Sequence, residues 1–328
     1  MSKQKHKKDL VFLAVILILV LVMLYSGLRI LESTVLHHGQ TDDGTIASKT
    51  IEVDGMAYFP RQDITVVLVM GIDRFGPVED SGYYKNTGSA DVDMLLIFDQ
   101  TAKMVNVLYL NRDTMLDMPV LGVGGKPAGS WFGQLALAHT YGSGLQDSCE
   151  NTRTAISDFL WGLKIDYYVS MNMDAIAILN DAVGGVTVEV TDDFSQVDPT
   201  IGKGTVTLHG QQAVNFLRTR KDVGDQLNLT RIERQKTYLQ GFSQALREAY
   251  ENDPTFVLTV YEALAPYIVT DCSVKLISSM FEQYAAYGTG QIISPKGENV
   301  MGEEYFEFYV DEEDLKQIML QFFYAPKQ

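Results

Sequence analysis

Ile64-Thr65-Val66-Val67-Leu68-Val69-Met70, followed by Gly71-Ile72-Asp73-Arg74, is the stretch on which the fold turns. A strand with one wet face alternates apolar and polar residues. This one is apolar on both faces until it stops at a charge, which predicts a strand buried within a sheet that helices cover. Met94–Phe98 and Val105–Leu110 read the same way. Asp99-Gln100-Thr101-Ala102-Lys103 between them has the length of a hairpin turn, so the sheet is expected to be mixed. Further on, the spacing predicts a helix over Thr152–Leu163, a strand over Ile165–Met171 and a short helix over Asp174–Val183 with Asp174 as its cap. Gly184-Gly185 stops that helix before a strand at Val186–Val190. A helix opens at His209 or Gly210 and ends near Leu217, and a longer amphipathic one covers Leu229–Tyr250. Such alternation predicts an α/β fold, a three-layer α/β/α core around a mixed central sheet. The residues after Pro254 read as two helices, short strands at Gln291–Ile293 and Tyr305–Val310, and a final helix from Asp311. They form a small α+β C-terminal extension, expected to pack on the core.

The N-terminus sets the compartment. Lys3, Lys5, Lys7 and Lys8 precede an uncharged run, Leu10–Leu28, of a length that crosses most of a bilayer as a helix. Basic residues ahead of such a run favour a cytoplasmic N-terminus. Tyr25-Ser26-Gly27 is a poor match to a signal-peptidase site, so the run reads as an uncleaved anchor. The expected organisation is a cytoplasmic tail (1–9), a transmembrane anchor (10–28), a stalk (29–60), a catalytic domain (61–252) and the C-terminal extension (253–328), with everything past the anchor extracellular. Outside residues 1–30, 21 basic residues face 41 acidic ones. Nucleic acid and anionic surfaces are poor general partners for such a chain. The two cysteines, Cys149 and Cys272, would meet an oxidising exterior, where a disulfide between them is expected, two unrelated buried thiols being the alternative. None of the five histidines falls in a metal-ligand pattern.

Against this acidic background, Arg218, Arg220, Lys221, Arg231 and Arg234 crowd into one window with Gln235. Arg218 and Arg220 share a face of an extended segment, and Arg231 and Arg234 are neighbours on a helix. Guanidinium forks suit phosphate oxygens, so the cluster reads as a local anion site; the alternative is a solvated helix face with Glu233 as counterion. Two strand ends carry further polar groups, Asp73-Arg74 and Arg112-Asp113, while Asp91 enters the antiparallel neighbour from the same edge. Ligands of α/β proteins gather outside strand ends. A diphosphate there would need arginines and Mg²⁺, with Asp91 and Asp113 as carboxylates and Arg112, Arg218, Arg220 and Arg231 as a clamp. Each Asp taken alone is more commonly a turn or cap residue.

These residues, in this order and spacing, resemble the LytR-CpsA-Psr family of bacterial envelope proteins. The matching segments are Gly71-Ile72-Asp73-Arg74, Asp91 before an apolar strand, Arg112-Asp113-Thr114, Ile165-Asp166-Tyr167-Tyr168, Gly184-Gly185-Val186, Leu208-x-Gly210, Arg218-x-Arg220 and Arg231-x-x-Arg234-Gln235. The resemblance implies transfer of a phospho-glycan from a polyprenyl-pyrophosphate carrier to peptidoglycan. It implies that Asp91 and Asp113 hold Mg²⁺, that Arg112, Arg218, Arg220, Arg231 and Gln235 bind the diphosphate, and that the lipid tail fills an apolar tunnel. Three positions depart from the family pattern. Ser89 stands where Arg is usual, so Arg74 is the expected substitute contact; Asn111 replaces Pro; Asn228 replaces Asp, with Asp225 nearby. Asp73, at a strand end beside the site, is the candidate general base, with a turn role as the alternative, while Arg112 and Arg220 would stabilise the transition state. A polyprenyl-phosphate sensor and a lipid-pyrophosphate hydrolase are the competing functions.

Overall fold

Two short strands, β1 (Ile51–Val53) and β2 (Met56–Pro60), precede the apolar run, which becomes β3 (Ile64–Ile72), the strand around which the sheet is built. The structure, a computed structural model, describes residues 50–219, 223, 228–253, 256–272, 276 and 287–326. The expected tail, the anchor and most of the stalk lie outside those residues. Among the described residues no helix is long and apolar enough to cross a membrane.

β3 pairs antiparallel with β4 (Ala90–Asp99), which pairs antiparallel with β5 (Met104–Leu110). On its other side β3 pairs parallel with β8 (Tyr167–Asn172). Side chains alternate across the strands, and the alternation sorts them into two cores. Val67, Val69, Leu96, Val107 and Val169 enter one; Val66, Leu68, Met70, Leu95, Leu108 and Tyr168 enter the other. The first core is closed by α2 (Met173–Ala182), α3 (Gln211–Arg218), α4 (Asn228–Asn252) and α5 (Phe256–Leu264), the second by α1 (Gln146–Phe159) and α6 (Glu312–Phe322). The architecture is therefore mixed α/β with a central mixed sheet between two helical layers.

Three sequence expectations change. The C-terminal residues are not an appendage. β11 (Ile268–Thr270) and β12 (Gly288–Ile293) are the two edges of the six-stranded sheet, paired with β8 and β5. Backbone groups at the sheet margins need partners, and the tail supplies them. Asp174 does not cap its helix; its Oδ2 accepts from Gly76 N at 2.7 Å and so fixes the loop leaving β3. Cys149 and Cys272 are buried and neither is in a disulfide. They belong to opposite cores, with the sheet between them, so no disulfide joins them. Cys149 Sγ instead lies 3.4 Å from Ser170 Oγ, and burial pushes the Cys149 thiol up to about 12.

The long helix α4 is set by one close approach. A Cβ on Gly241 would lie 2.2 Å from the carbonyl oxygen of Thr187, in β9 (Val186–Val190), the antiparallel partner of β10 (Gly204–Leu208). Only glycine lets α4 sit this low on β9, and that depth places the arginines of its first turns beside the sheet. Gly241→Ala is expected to lift the helix and to cost on the order of 1–3 kcal/mol as overpacking. Denaturant unfolding checks this; an unchanged midpoint would refute the role given to this contact.

Candidate active site

The register of the sheet brings the three strand ends together. Ile72 faces Ala90, and Asp93 faces Leu110, so the end of β3, the start of β4 and the end of β5 share one edge. Asp91 lies at the centre. Arg112 Nη1 is 2.6 Å from Asp91 Oδ1, and Arg112 Nε is 3.5 Å from Asp113 Oδ1. From the opposite side, Arg231 Nη1 donates to Asp91 Oδ2 at 3.1 Å and Nη2 to the Asp91 carbonyl at 3.3 Å. Arg231 is 3% exposed and Asp91 6%, so this pairing takes place out of water. Ser89, at the position where the family pattern has arginine, donates Oγ–H to Asp91 Oδ1 at 3.2 Å. Nearer the solvent, Arg218 Nε donates to Asp73 Oδ1 at 3.0 Å, with its guanidinium over the Phe75 ring.

Other predicted residues are placed differently. Arg74 is not among the side chains on Asp91. Its stem crosses Gly88, which has no Cβ to bar it, and its Nη1 donates to Thr87 Oγ1 at 3.0 Å. Gln235 has both ends of its amide engaged: Oε1 accepts the Tyr109 hydroxyl in a short bond, and Nε2 donates to Leu217 O at 3.1 Å. Arg234 turns away from Asp91, pairs with Asp192 at 3.3 Å and donates to the carbonyls of Phe216 and Thr219. It pins the end of α3. Arg220 and Asp225 lie outside the described residues.

The charged cluster opens onto an apolar cavity between the first core's sheet face and its helices. Val69, Met94, Met171, Leu179, Leu239 and Phe242 are among its walls, and Asp91, Arg218, Arg231 and Gln235 interrupt them. The cavity volume is about 130 Å³, and the empty space counted out into the open solvent at its mouth is about 970 Å³. Charge at one boundary and hydrocarbon elsewhere suits an amphiphile with an anionic head.

Among the described residues no three metal-type side chains converge into a preformed cation site. Mg²⁺ bound with a phosphate ligand needs only one or two carboxylates, and Asp91 and Asp113, linked through Arg112, meet that requirement. Asp93 adds a feature that sequence reading missed. It is fully buried, and neither carboxylate oxygen has a hydrogen-bond partner. Burial holds its carboxyl well above the usual range; the nearby charge of Asp91 raises it further, and Arg112 opposes the rise. The available signal was an acid inside an otherwise apolar strand. Gln134 was also missed: its Nε2 donates to Asp113 Oδ1 at 3.1 Å.

Behind the loop that carries Ser89 lies a buried latch. Asn86 Nδ2 donates to the carbonyls of His139 and Gly142 and to Ser148 Oγ, while Gly88 N donates to Asn86 Oδ1. His139 Nδ1 lies 2.8 Å from Gly88 O, a contact that requires the proton on Nδ1. Its buried Nε2 has no partner, and burial pushes the imidazole down to about 4. The unfolded chain titrates near 6.5, so below that pH it binds a proton the folded chain refuses. The stability contributed by neutral His139 is complete above pH 6.5 and is lost toward pH 4, at about 1.4 kcal/mol per pH unit. In His139→Gln this component of the slope should vanish, as urea unfolding at pH 7, 6 and 5 would show. An unchanged slope would contradict the buried neutral histidine.

Known proteins resemble this chain in sequence and in fold. The sequence model of the LytR_cpsA_psr family matches residues 28–322. A protein of Oceanobacillus iheyensis named polyisoprenyl-teichoic acid–peptidoglycan teichoic acid transferase TagU is 24% identical, over 96% of this chain and 93% of its own. The protein of the same name from Enterococcus faecalis is 27% identical, over 97% and 96%. A solved structure described as TagT bound to LIIa-WTA superposes with a TM-score of 0.60 at 21% identity, covering 87% of this chain and 98% of that one. The likeness to that structure shows the shared fold, and the match over residues 28–322 shows that the chain belongs to the LytR_cpsA_psr family.

Proposed function

We propose that this protein is a membrane-anchored phosphotransferase that moves a phospho-glycan from a polyprenyl-pyrophosphate carrier onto peptidoglycan. The observation that carries the reading is a guanidinium pair, the half-buried Arg112 and the buried Arg231, closed on Asp91 at the edge of an apolar cavity. The teichoic acid transferase relatives support a role in attaching a cell-wall glycopolymer. Leu10–Leu28 would hold the chain in the membrane with its catalytic part outside.

In this reading the lipid tail lies in the cavity and the diphosphate at its charged end. Arg112, Arg218 and Arg231 bind the phosphate oxygens. Asp91 and Asp113 would hold Mg²⁺, which neutralises diphosphate charge when bound. An acceptor hydroxyl attacks the phosphorus nearer the glycan. The new O–P bond forms as the P–O–P bridge breaks, and polyprenyl phosphate leaves with the bridging oxygen. Negative charge grows on that oxygen, where fixed guanidinium groups stabilise the transition state more than the ground state. Arg218, drawn onto the phosphate, releases Asp73, whose carboxylate then accepts the hydroxyl proton.

The test uses the full chain, a defined polyprenyl-diphosphate glycan donor and purified peptidoglycan. Arg218 is half exposed, so Arg218→Ala should leave the melting temperature unchanged yet reduce transfer by about 10²–10³. Arg231→Ala should lose as much activity and also stability, because it strips a partner from a buried carboxylate. Chelation should abolish transfer and added Mg²⁺ restore it. Full transfer by Arg218→Ala would overturn the clamp, and chelator-resistant transfer would overturn the metal. Release of free phospho-glycan into water with none on peptidoglycan would make the protein a hydrolase.

A further inference from the structure

Two β-hairpins flank Asp113 on the side away from the cavity. One is β6 (Met115–Leu121) with β7 (Pro127–Gln134), which starts immediately after Arg112-Asp113-Thr114. The other is β13 (Gly297–Met301) with β14 (Phe306–Val310). They are tied together at the site itself. Phe308 N donates to Asp113 O at 2.8 Å, and Thr114 and Phe308 form a parallel bridge. Gln134 Nε2 reaches both Asp113 Oδ1 and, at 2.7 Å, Phe306 O.

These hairpins hold most of the large hydrophobic side chains that are exposed among the described residues. Of the twelve large hydrophobic residues exposed among the described residues, eight lie on them. Trp131, Phe132, Met301, Tyr305, Phe306 and Tyr309 are the largest, and Tyr305 is 66% exposed. A monomer seldom leaves such a grouping bare without a partner for it. The charge around the rings limits what that partner is. Residues 297–310 carry Glu298, Glu303, Glu304 and Glu307 with no Lys or Arg. Four carboxylates repel an anionic bilayer and an anionic polymer alike. They are compatible with a neutral or amine-bearing one. Aromatic faces stack on the C–H faces of pyranose rings, while carboxylate and amide groups such as Glu298, Asn299 and Glu307 accept or donate at hydroxyl and amino groups.

We propose that the paired hairpins are the docking platform for the acceptor, a neutral or amine-bearing amino-sugar strand of peptidoglycan. The proposal rests on the transferase reading. The platform begins at Asp113, so a strand stacked on it places a hydroxyl beside the phosphate bound by Arg112 without competing for the lipid cavity. Donor and acceptor then approach from opposite sides of the Asp91–Arg112–Asp113 cluster.

The test is co-sedimentation of the full chain, in detergent, with sacculi stripped of attached polymers, alongside flotation with phosphatidylglycerol vesicles. Tyr305→Ser with Tyr309→Ser removes two exposed rings, so the melting temperature should hold. Affinity for sacculi should fall roughly tenfold, about 1.4 kcal/mol for the two rings together. In the transfer assay the acceptor KM should rise more than kcat falls, with donor affinity unchanged. Sacculus binding equal to wild type in the double variant would overturn the platform even if transfer is confirmed. So would a wild-type chain that ignores sacculi. Loss of vesicle binding with sacculus binding intact would overturn it in favour of a membrane surface. If no transfer occurs at all, the transferase reading fails, and the sedimentation result still decides the platform.

Discussion

Asp91, closed between Arg112 and Arg231, is the interaction on which the rest of the molecule depends. It joins the first residues of β4, the turn after β5 and the long helix α4. Burying one carboxylate and one guanidinium is costly, and the attraction between them offsets that cost only with good geometry. Here Asp91 accepts from two arginines and Ser89, and Arg231 also reaches the Asp91 carbonyl. The cluster is thus a stability element and a charged site at once. Truncating a single member would leave an uncompensated buried charge, so the removal of charge and the loss of fold are entangled at Asp91 and separable at Arg218, which water reaches.

Everything around the cluster serves to aim it. Gly241 lets α4 descend onto β9 and carry Arg231 to the sheet edge. Arg234 and Gln235, three and four residues further on, use their polar groups to hold the end of α3, which sets Arg218 at the cavity mouth. The latch of Asn86 and His139 fixes the loop that delivers Ser89 and Asp91. Functional charge therefore stands on a scaffold of satisfied hydrogen bonds, which is what preorganisation of a phosphate site requires.

Much of the site was legible because strand ends in an α/β sheet are marked by an abrupt change from apolar to charged residues. Gly71-Ile72-Asp73 and Leu110-Asn111-Arg112-Asp113 show that change plainly. Antiparallel pairing of the strands then forces Asp91 to the same edge. The division of labour within Arg231-x-x-Arg234-Gln235 was not legible. Three polar residues on adjacent helical positions look equivalent in sequence, yet only Arg231 points at Asp91, because the helix axis is set by its contact with β9. Asp93 escaped notice for a related reason: an acid on a strand reads as a wet face, and here that face is covered.

The sequence by itself determined the buried strands, their mixed pairing and the identity of the charged residues, since periodicity and composition are local properties of the chain. Tertiary structure alone decided three matters that involve distant segments. The residues after 253 close both margins of the sheet, because edge strands are recruited by spatial proximity to unpaired backbone and not by sequence order. Cys149 and Cys272 remain separate thiols, because the sheet divides the two cores they occupy. The two hairpins meet at Asp113 because the Thr114–Phe308 bridge, with the bonds of Phe308 N to Asp113 O and Gln134 Nε2 to Phe306 O, joins segments nearly two hundred residues apart.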